Sequence, residues 1–171
     1  MCFFYFCKNI AKLKFCKIIE ERGDTMAKYC PEKDGPALYL DCKECVSKLC
    51  KSFFCLIVGS RNFNNYQMFK QKMEVLLSKQ HRVVIVSGGA RGADAMAERY
   101  AEEKGYPCII FEADWSLGKK AGFIRNRKMH EFISKQKRRG CVAFWDGKST
   151  GTAQSFELAK QYGNPIRTIY V

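Results

Sequence analysis

Long apolar runs are missing from this sequence. Across its 171 residues no stretch approaches the roughly 18 consecutive apolar residues that a membrane-spanning helix needs. The order of a secretion signal is missing too, because the opening apolar residues are not preceded by positive charge and lead to no small-residue cleavage site. We therefore expect no membrane partner.

Acidic residues are scarce. The chain has 17 Asp and Glu against 30 Lys and Arg, a net charge of +13. Such a balance favours an anionic partner, such as nucleic acid, an acidic surface or a phosphorylated small molecule. A solvated basic face explains the same numbers, and the basic run at residues 135–139 also suits the C-terminus of a helix.

Cysteine is nearly absent from the second half of the chain. Of ten cysteines, only Cys108 and Cys141 lie beyond residue 55, and both fall in apolar runs. This asymmetry argues against disulfides spread over the fold. Without a secretion signal, it favours a reducing cytoplasm as the location.

Four thiols are concentrated in residues 30–52, at Cys30, Cys42, Cys45 and Cys50. A tetrahedral zinc site needs four such ligands, and Cys42-x-x-Cys45 can place two thiolates on one ion. Iron also accepts four thiolates, and unpaired thiols under a short loop are the alternative. We expect a small structural zinc-binding segment with no open coordination position.

Residues 1–29 form an N-terminal extension. Phe6, Ile10, Leu13 and Lys17 share one helical face, which suits an amphipathic surface helix. The alternative is a wrongly assigned start, because the chain reads well from Met26. We expect residues 1–25 to be poorly ordered or loosely attached.

Residues 53–171 alternate five times between strand and helix patterns. Short apolar runs at 53–58, 82–86, 106–112, 141–145 and 166–171 read as strands, and the amphipathic segments between them read as helices. This alternation predicts an α/β fold: a Rossmann-like, doubly wound, mainly parallel five-stranded sheet.

Glycine-rich and polar turns follow the first, second and fourth predicted strands. A doubly wound sheet places all three at its carboxyl edge, where ligands bind. Glycine admits close backbone approach, and a helix N-terminus offers unpaired N–H groups to phosphate. The predicted nucleotide-binding residues in these turns are Gly59, Ser60, Arg61, Ser87, Gly88, Gly89, Arg91, Gly92, Asp94, Gly151 and Thr152. Asp94 suits either a helix cap, which we favour, or a ribose hydroxyl.

The loop after the third strand mixes Trp115 with glycines and basic residues. It suits base stacking and phosphate clamping, which adds Gly118, Lys119, Arg125 and Asn126 to the predicted site. An ordinary loop anchored by a buried Trp115 is the alternative. His81 and His130 have no partner nearby in sequence, and we expect both at the surface.

Two common nucleotide motifs are absent. Gly147-Lys148-Ser149 is not a P-loop, because the required glycine position holds Val142, inside a strand. No G-x-G-x-x-G fingerprint of dinucleotide-binding domains is present.

Taken in order, Gly59-Ser60-Arg61, residues 87–94, residues 118–126 and Gly151-Thr152 resemble the YspA-type, YpsA-related branch of the SLOG superfamily. SLOG proteins are Rossmann-like and are similar in this turn plan to DNA-processing protein A and to the LOG enzymes. The resemblance implies a nucleotide or nucleotide-derived ligand, and relatives often form homodimers. The cysteine segment is a feature of some bacterial members.

The resemblance leaves the activity open. LOG enzymes are phosphoribohydrolases with a P-G-G-x-G-T-x-x-E type loop. Where their carboxylates would fall, this chain has Gln154 and Ser155, and Glu157 comes later on the helix. We therefore favour a binding or sensing module. A nucleotide-processing enzyme using Glu157 or Asp146 is one alternative, and a binder of single-stranded nucleic acid is another.

Overall fold

The computed structural model describes residues 52–171, which form a five-stranded parallel sheet with four helices. The predicted Rossmann-like, doubly wound α/β fold is confirmed. The predicted N-terminal extension and Cys30, Cys42, Cys45 and Cys50 lie outside the described residues. In chain order the elements are β1 (Phe53–Gly59), α1 (Tyr66–Leu77), β2 (Val83–Ser87), α2 (Ala93–Lys104), β3 (Cys108–Ile110), a 3-10 segment (Trp115–Lys120), α3 (Ala121–Ser134), β4 (Arg139–Trp145), α4 (Thr150–Gln161) and β5 (Ile166–Tyr170).

The strand order is β3-β2-β1-β4-β5, and all neighbouring strands are parallel. The chain builds outward from β1 through β2 to β3, then returns to the other side of β1 with β4 and β5. The strand order therefore reverses between β1 and β4, which makes the gap between their carboxyl ends the switch point.

Two apolar layers cover the sheet, and β1 shows why. Cys55 and Ile57 point to one face, where they pack with residues of α1 and α2. Leu56 and Val58 alternate to the other face and pack with α3 and the partly buried Phe156 of α4. The four β1 side chains are at most 5% exposed. Burying each large apolar one stabilises the fold by roughly 1.5–3 kcal/mol relative to exposure.

Aromatic rings reinforce the layer formed by α1 and α2. The ring of Phe69 stacks on that of Phe144 with centroids 4.6 Å apart, and Tyr100 meets Phe69 edge-on at 6.0 Å. The contacts hold both helices against the centre of the sheet. No helix within residues 52–171 has the length and apolar character to span a membrane.

The expectation that His130 lies at the surface was wrong. Its side chain is fully buried on α3, and the Asn164 side-chain amide donates to the His130 carbonyl oxygen at 2.9 Å. Burial lowers the pKa of His130 to about 4. Asn126, His130 and Ile133 follow one another at helical spacing, and this buried stripe was the overlooked signal.

Candidate functional site

The loops after β1, β2 and β4 meet at the switch point through Ser60. The Ser60 hydroxyl donates to Asp146 Oδ2 at 2.8 Å, which joins the loop after β1 to the loop after β4. The Ser60 carbonyl accepts from the Ala93 N–H at 3.3 Å, which joins it to the start of α2. Gly92 has φ +79°, and a Cβ there would strike that carbonyl. The three loops thus form one continuous surface.

Asp146 shapes the loop that leads into α4. Its Oδ1 accepts from the backbone N–H groups of Ser149 at 2.8 Å and Lys148 at 3.0 Å. The Ser149 N–H, the Ser60 hydroxyl and the Lys148 N–H lower the pKa of Asp146 to about 2. The carboxylate is therefore ionised at neutral pH and holds the turn closed.

Four helices begin at this edge of the sheet, and they differ in their caps. Asn65 caps α1, because its side-chain oxygen accepts from the Met68 N–H at 3.0 Å. The N-cap residues of α2 and α4, Gly92 and Ser149, provide no side-chain cap. Lys120, the N-cap residue of α3, provides none either. These helix N-termini therefore leave backbone N–H groups and positive dipole ends at the carboxyl edge of the sheet.

A buried ion pair supports the loop of residues 87–92 from below. Asp94 Oδ2 accepts from Arg125 Nη1 at 3.2 Å and from the Ala90 N–H at 3.3 Å. Both charged side chains are less than a tenth exposed. Gly88 is required here, because a Cβ at that position would overlap the Arg125 guanidinium.

Asp94 does not cap its own helix, contrary to our preference from sequence. Gly92 is the N-cap, and Asp94 reaches back to Ala90, which precedes the helix. Asp94 is the second residue of α2, and side chains in a helix tilt towards its N-terminus. Burial raises the pKa of Asp94 to about 6, against the opposing effects of Arg125 and the Ala90 N–H.

Other buried residues of the predicted site also hold its loops. The Ser87 hydroxyl contacts Glu98 Oε1 at 2.9 Å. Asn126 Nδ2 donates to the Gly151 carbonyl at 3.2 Å, and the Thr152 hydroxyl donates to Ser149 Oγ at 3.1 Å. Sequence reasoning missed Glu98, although it lies four residues after Asp94 on the same helical face.

The exposed members of the predicted site are Arg61, Gly89, Arg91, Gly118 and Lys119. Three of them are cations, and Arg61, Arg91 and Lys119 form no ion pair within residues 52–171. The Arg61 guanidinium lies 5.7 Å from the ring centre of Trp115, which is 60% exposed. The alternative of a buried Trp115 anchor was wrong.

Two open depressions lie along the loop that follows β1, and both are lined in part by residues 62–64. One, of about 350 Å³, is lined by residues that include Arg61, Gly92 and Arg99. The other, of about 310 Å³, is lined by residues that include Ser60 and Asp146. Their volumes reach the lower end of the range for small-molecule sites.

The strand order and the loops at the switch point define a Rossmann-like α/β domain. The model of the YspA, cpYpsA-related SLOG family matches residues 55–118. The Gene 61 protein of Mycobacterium phage D29 is 36% identical over 121 residues, which cover 65% of this chain and 91% of the phage protein. This chain therefore belongs to the YspA, cpYpsA-related SLOG family.

A solved structure supports the fold. DNA processing protein A from Helicobacter pylori superposes with a TM-score of 0.51 and 22% sequence identity, covering 71% of this chain and 67% of that protein. The published structure of that protein concerns its mode of binding single-stranded DNA. At this identity the likeness bears on the fold alone.

Proposed function

We propose that this protein binds a nucleotide or nucleotide-derived ligand, whose phosphate sits between the N-termini of α2 and α4. The observation that carries this proposal is that both helices begin without a side-chain cap at the same edge of the sheet. Backbone N–H groups and helix dipoles at such a place stabilise negative charge. The proposed ligand contacts are the exposed cations Arg61, Arg91 and Lys119 together with the loop backbone.

Charge and rigidity both suit an anion here. Arg61 and Arg91 are exposed and take part in no ion pair among residues 52–171, so an incoming phosphate need not displace a carboxylate. Beneath them, Arg125 and Asn126 hold the loop of residues 87–92 and the first turn of α4. A preformed site loses less conformational entropy on binding.

The carboxylates favour binding without turnover. Asp94 is buried against Arg125, and the low pKa of Asp146 makes it a poor proton donor at neutral pH. Glu157 is exposed in the second half of α4. Neither Asp94 nor Asp146 is therefore an exposed carboxyl that could donate a proton at neutral pH.

The test is calorimetric titration of the full-length chain with AMP, ADP-ribose and inorganic phosphate, with analysis of the products. We expect binding of an intact nucleotide, weakened about tenfold or more by Arg91→Ala, because a charged hydrogen bond contributes roughly 1.5–3 kcal/mol. Lys79→Ala is the matched control, since Lys79 is exposed beyond the C-terminus of α1. Absence of nucleotide binding would refute the proposal.

Hydrolysis of the nucleotide would instead support the enzyme alternative. In that case Asp146→Asn and Glu157→Gln should separate the two carboxylates proposed for it. Loss of turnover in one variant, with binding retained, would identify the acting carboxylate. Full turnover in a variant carrying both changes would exclude that mechanism.

Binding of single-stranded nucleic acid is the second candidate. Exposed Trp115 lies on the same segment as exposed Lys119 and Lys120, which is the combination of aromatic and basic groups that single strands use. The fold similarity to the Helicobacter pylori protein is compatible with it. Counterion release predicts steep weakening of oligothymidine binding between 50 and 200 mM salt, roughly 300-fold for six phosphate contacts at the single-strand slope of about −0.7 per contact. Salt-insensitive binding would exclude it.

Three predictions concern features beyond this site. We propose that Cys30, Cys42, Cys45 and Cys50 hold a structural zinc ion. Metal analysis of the full-length chain should find one equivalent of zinc that a Cys42→Ser, Cys45→Ser variant loses.

Homodimer formation and a cytoplasmic location remain predictions. Sedimentation tests the first, and cell fractionation tests the second.

A further inference from the structure

Trp115 presents a largely exposed aromatic ring beside the candidate site. It begins the 3-10 segment that precedes α3, and 60% of its surface is open to solvent. The chain's other tryptophan, Trp145, is half-buried, and its indole N–H donates to the Ser149 carbonyl at 3.3 Å. Exposing a ring as large as Trp115 has a hydrophobic cost, which a stacking ligand would remove.

Arg61 connects this ring to the proposed phosphate site. Its backbone packs against Gly92, where a Cβ would lie 2.8 Å from Arg61 Cα. Its guanidinium carbon lies 5.7 Å from the Trp115 ring centre, and its Nη2 lies 3.9 Å from the Cβ position of Gly122. One arginine side chain therefore spans the distance from the start of α2 to the indole.

The backbone that carries Trp115 is held in place by its neighbours. Asp114 caps the segment, because its Oδ1 accepts from the Ser116 N–H at 3.1 Å and from the Ser116 hydroxyl at 2.6 Å. The indole is thus presented from a structured turn. The segment leads into α3 through a kink at Gly118, which has φ +65°.

We infer that Trp115 is the base-contacting residue: the nucleobase stacks on its indole while the phosphate lies at the N-termini of α2 and α4. This inference rests on the proposed function and adds to it a preference among ligands. The site selects ligands with an aromatic base over bare sugar phosphates. Stacking is tolerant of base identity, because every base has a π-face.

The test compares AMP with ribose 5-phosphate, which has the sugar and phosphate but no base. Both are titrated into the full-length wild-type chain, Trp115→Ala, Trp115→Phe and Leu117→Ala. Leu117 is the matched control, since it is 52% exposed on the same segment and has no ring.

We expect Trp115→Ala to weaken AMP binding by about 5- to 150-fold, which corresponds to the roughly 1–3 kcal/mol that a stacked base contributes. Ribose 5-phosphate should bind equally to all four proteins. Trp115→Phe should retain most of the AMP affinity, and Leu117→Ala should retain all of it.

Two other results overturn the inference in distinguishable ways. If wild type binds AMP and ribose 5-phosphate equally, and Trp115→Ala changes neither, the phosphate site stands and the base contact does not. If wild type binds neither compound nor any other nucleotide, the proposed function fails and the inference with it. If Trp115→Ala and Leu117→Ala weaken AMP binding equally, the segment makes only a general apolar contact with the ligand. That result would also contradict the inference.

Discussion

Arg125 Nη1 donates to Asp94 Oδ2 across 3.2 Å inside the protein, and this contact ties α3 to the first turn of α2. The pair packs directly against the Gly88 backbone, so it positions the loop of residues 87–92. Arg125 Nε is buried without a hydrogen-bond partner in the described part of the chain. The pair therefore supports the loop from the protein interior, while the exposed cations Arg61, Arg91 and Lys119 remain available to a ligand.

Breaking this pair should destabilise the fold strongly. Arg125→Met leaves the Asp94 carboxyl buried without its partner, and we expect the free energy of unfolding to fall by about 3 kcal/mol or more. Urea denaturation at pH 7 measures the change. Glu131→Gln, which weakens the exposed Lys135–Glu131 pair, should cost at most about 0.5 kcal/mol. Similar losses in the two variants would show that burial does not matter here.

Asp94 should also give the stability a distinct pH dependence. Its pKa rises from 3.8 to about 6 on folding, because burial disfavours the charged form. Between these values the native state binds more protons than the unfolded state, so this residue lowers the free energy of unfolding as pH rises from about 4 to about 6. Asp94→Asn should remove that fall. A pH profile unchanged by the substitution would mean that the carboxyl titrates normally.

Much of the fold was predictable because its signals are local. The apolar run of β1 and the glycine-rich turns after β1 and β2 follow from short-range patterns, and parallel strands place their carboxyl ends on one edge. Strand β3 is shorter than predicted, with only Cys108–Ile110 paired, because pairing depends on its one neighbour, β2.

Roles within the site were harder to read from sequence. Arg125 and Asn126 were predicted beside the ligand, but both are buried and hold loops that are distant in sequence. The arginine and asparagine of this segment would suit exposed ligand contacts equally well, so their residue types alone do not distinguish the two roles. Which side of α3 faces the sheet depends on tertiary packing, and the polar residues on that side hide the buried stripe that includes His130.

Gly88 should tolerate no side chain. A Cβ at Gly88 would overlap the Arg125 guanidinium and lie 2.7 Å from Asp94 Oδ2, so Gly88→Ala must displace the buried pair. We expect a loss of about 1–3 kcal/mol in the free energy of unfolding, typical of overpacking. Gly151→Ala is the matched control, because nothing lies within 4 Å of its Cβ position in the first turn of α4, and we expect it to cause no loss of stability. Equal effects of the two substitutions would contradict the close contact.

His130 should destabilise the protein in acid, with a sign opposite to that of Asp94. Its pKa falls from 6.5 to about 4 on folding, so the unfolded state takes up the proton first and stability is lost as pH falls through this window. The cost should approach about 3 kcal/mol near pH 4 and vanish above pH 7. Because Asp94 acts oppositely over part of the same range, the wild-type profile alone hides both effects. The difference between wild type and His130→Leu at each pH isolates the histidine, since Asp94 is common to both proteins. A difference that stays constant from pH 7 to pH 4 would mean that the imidazole is protonated as readily in the folded state as in the unfolded one.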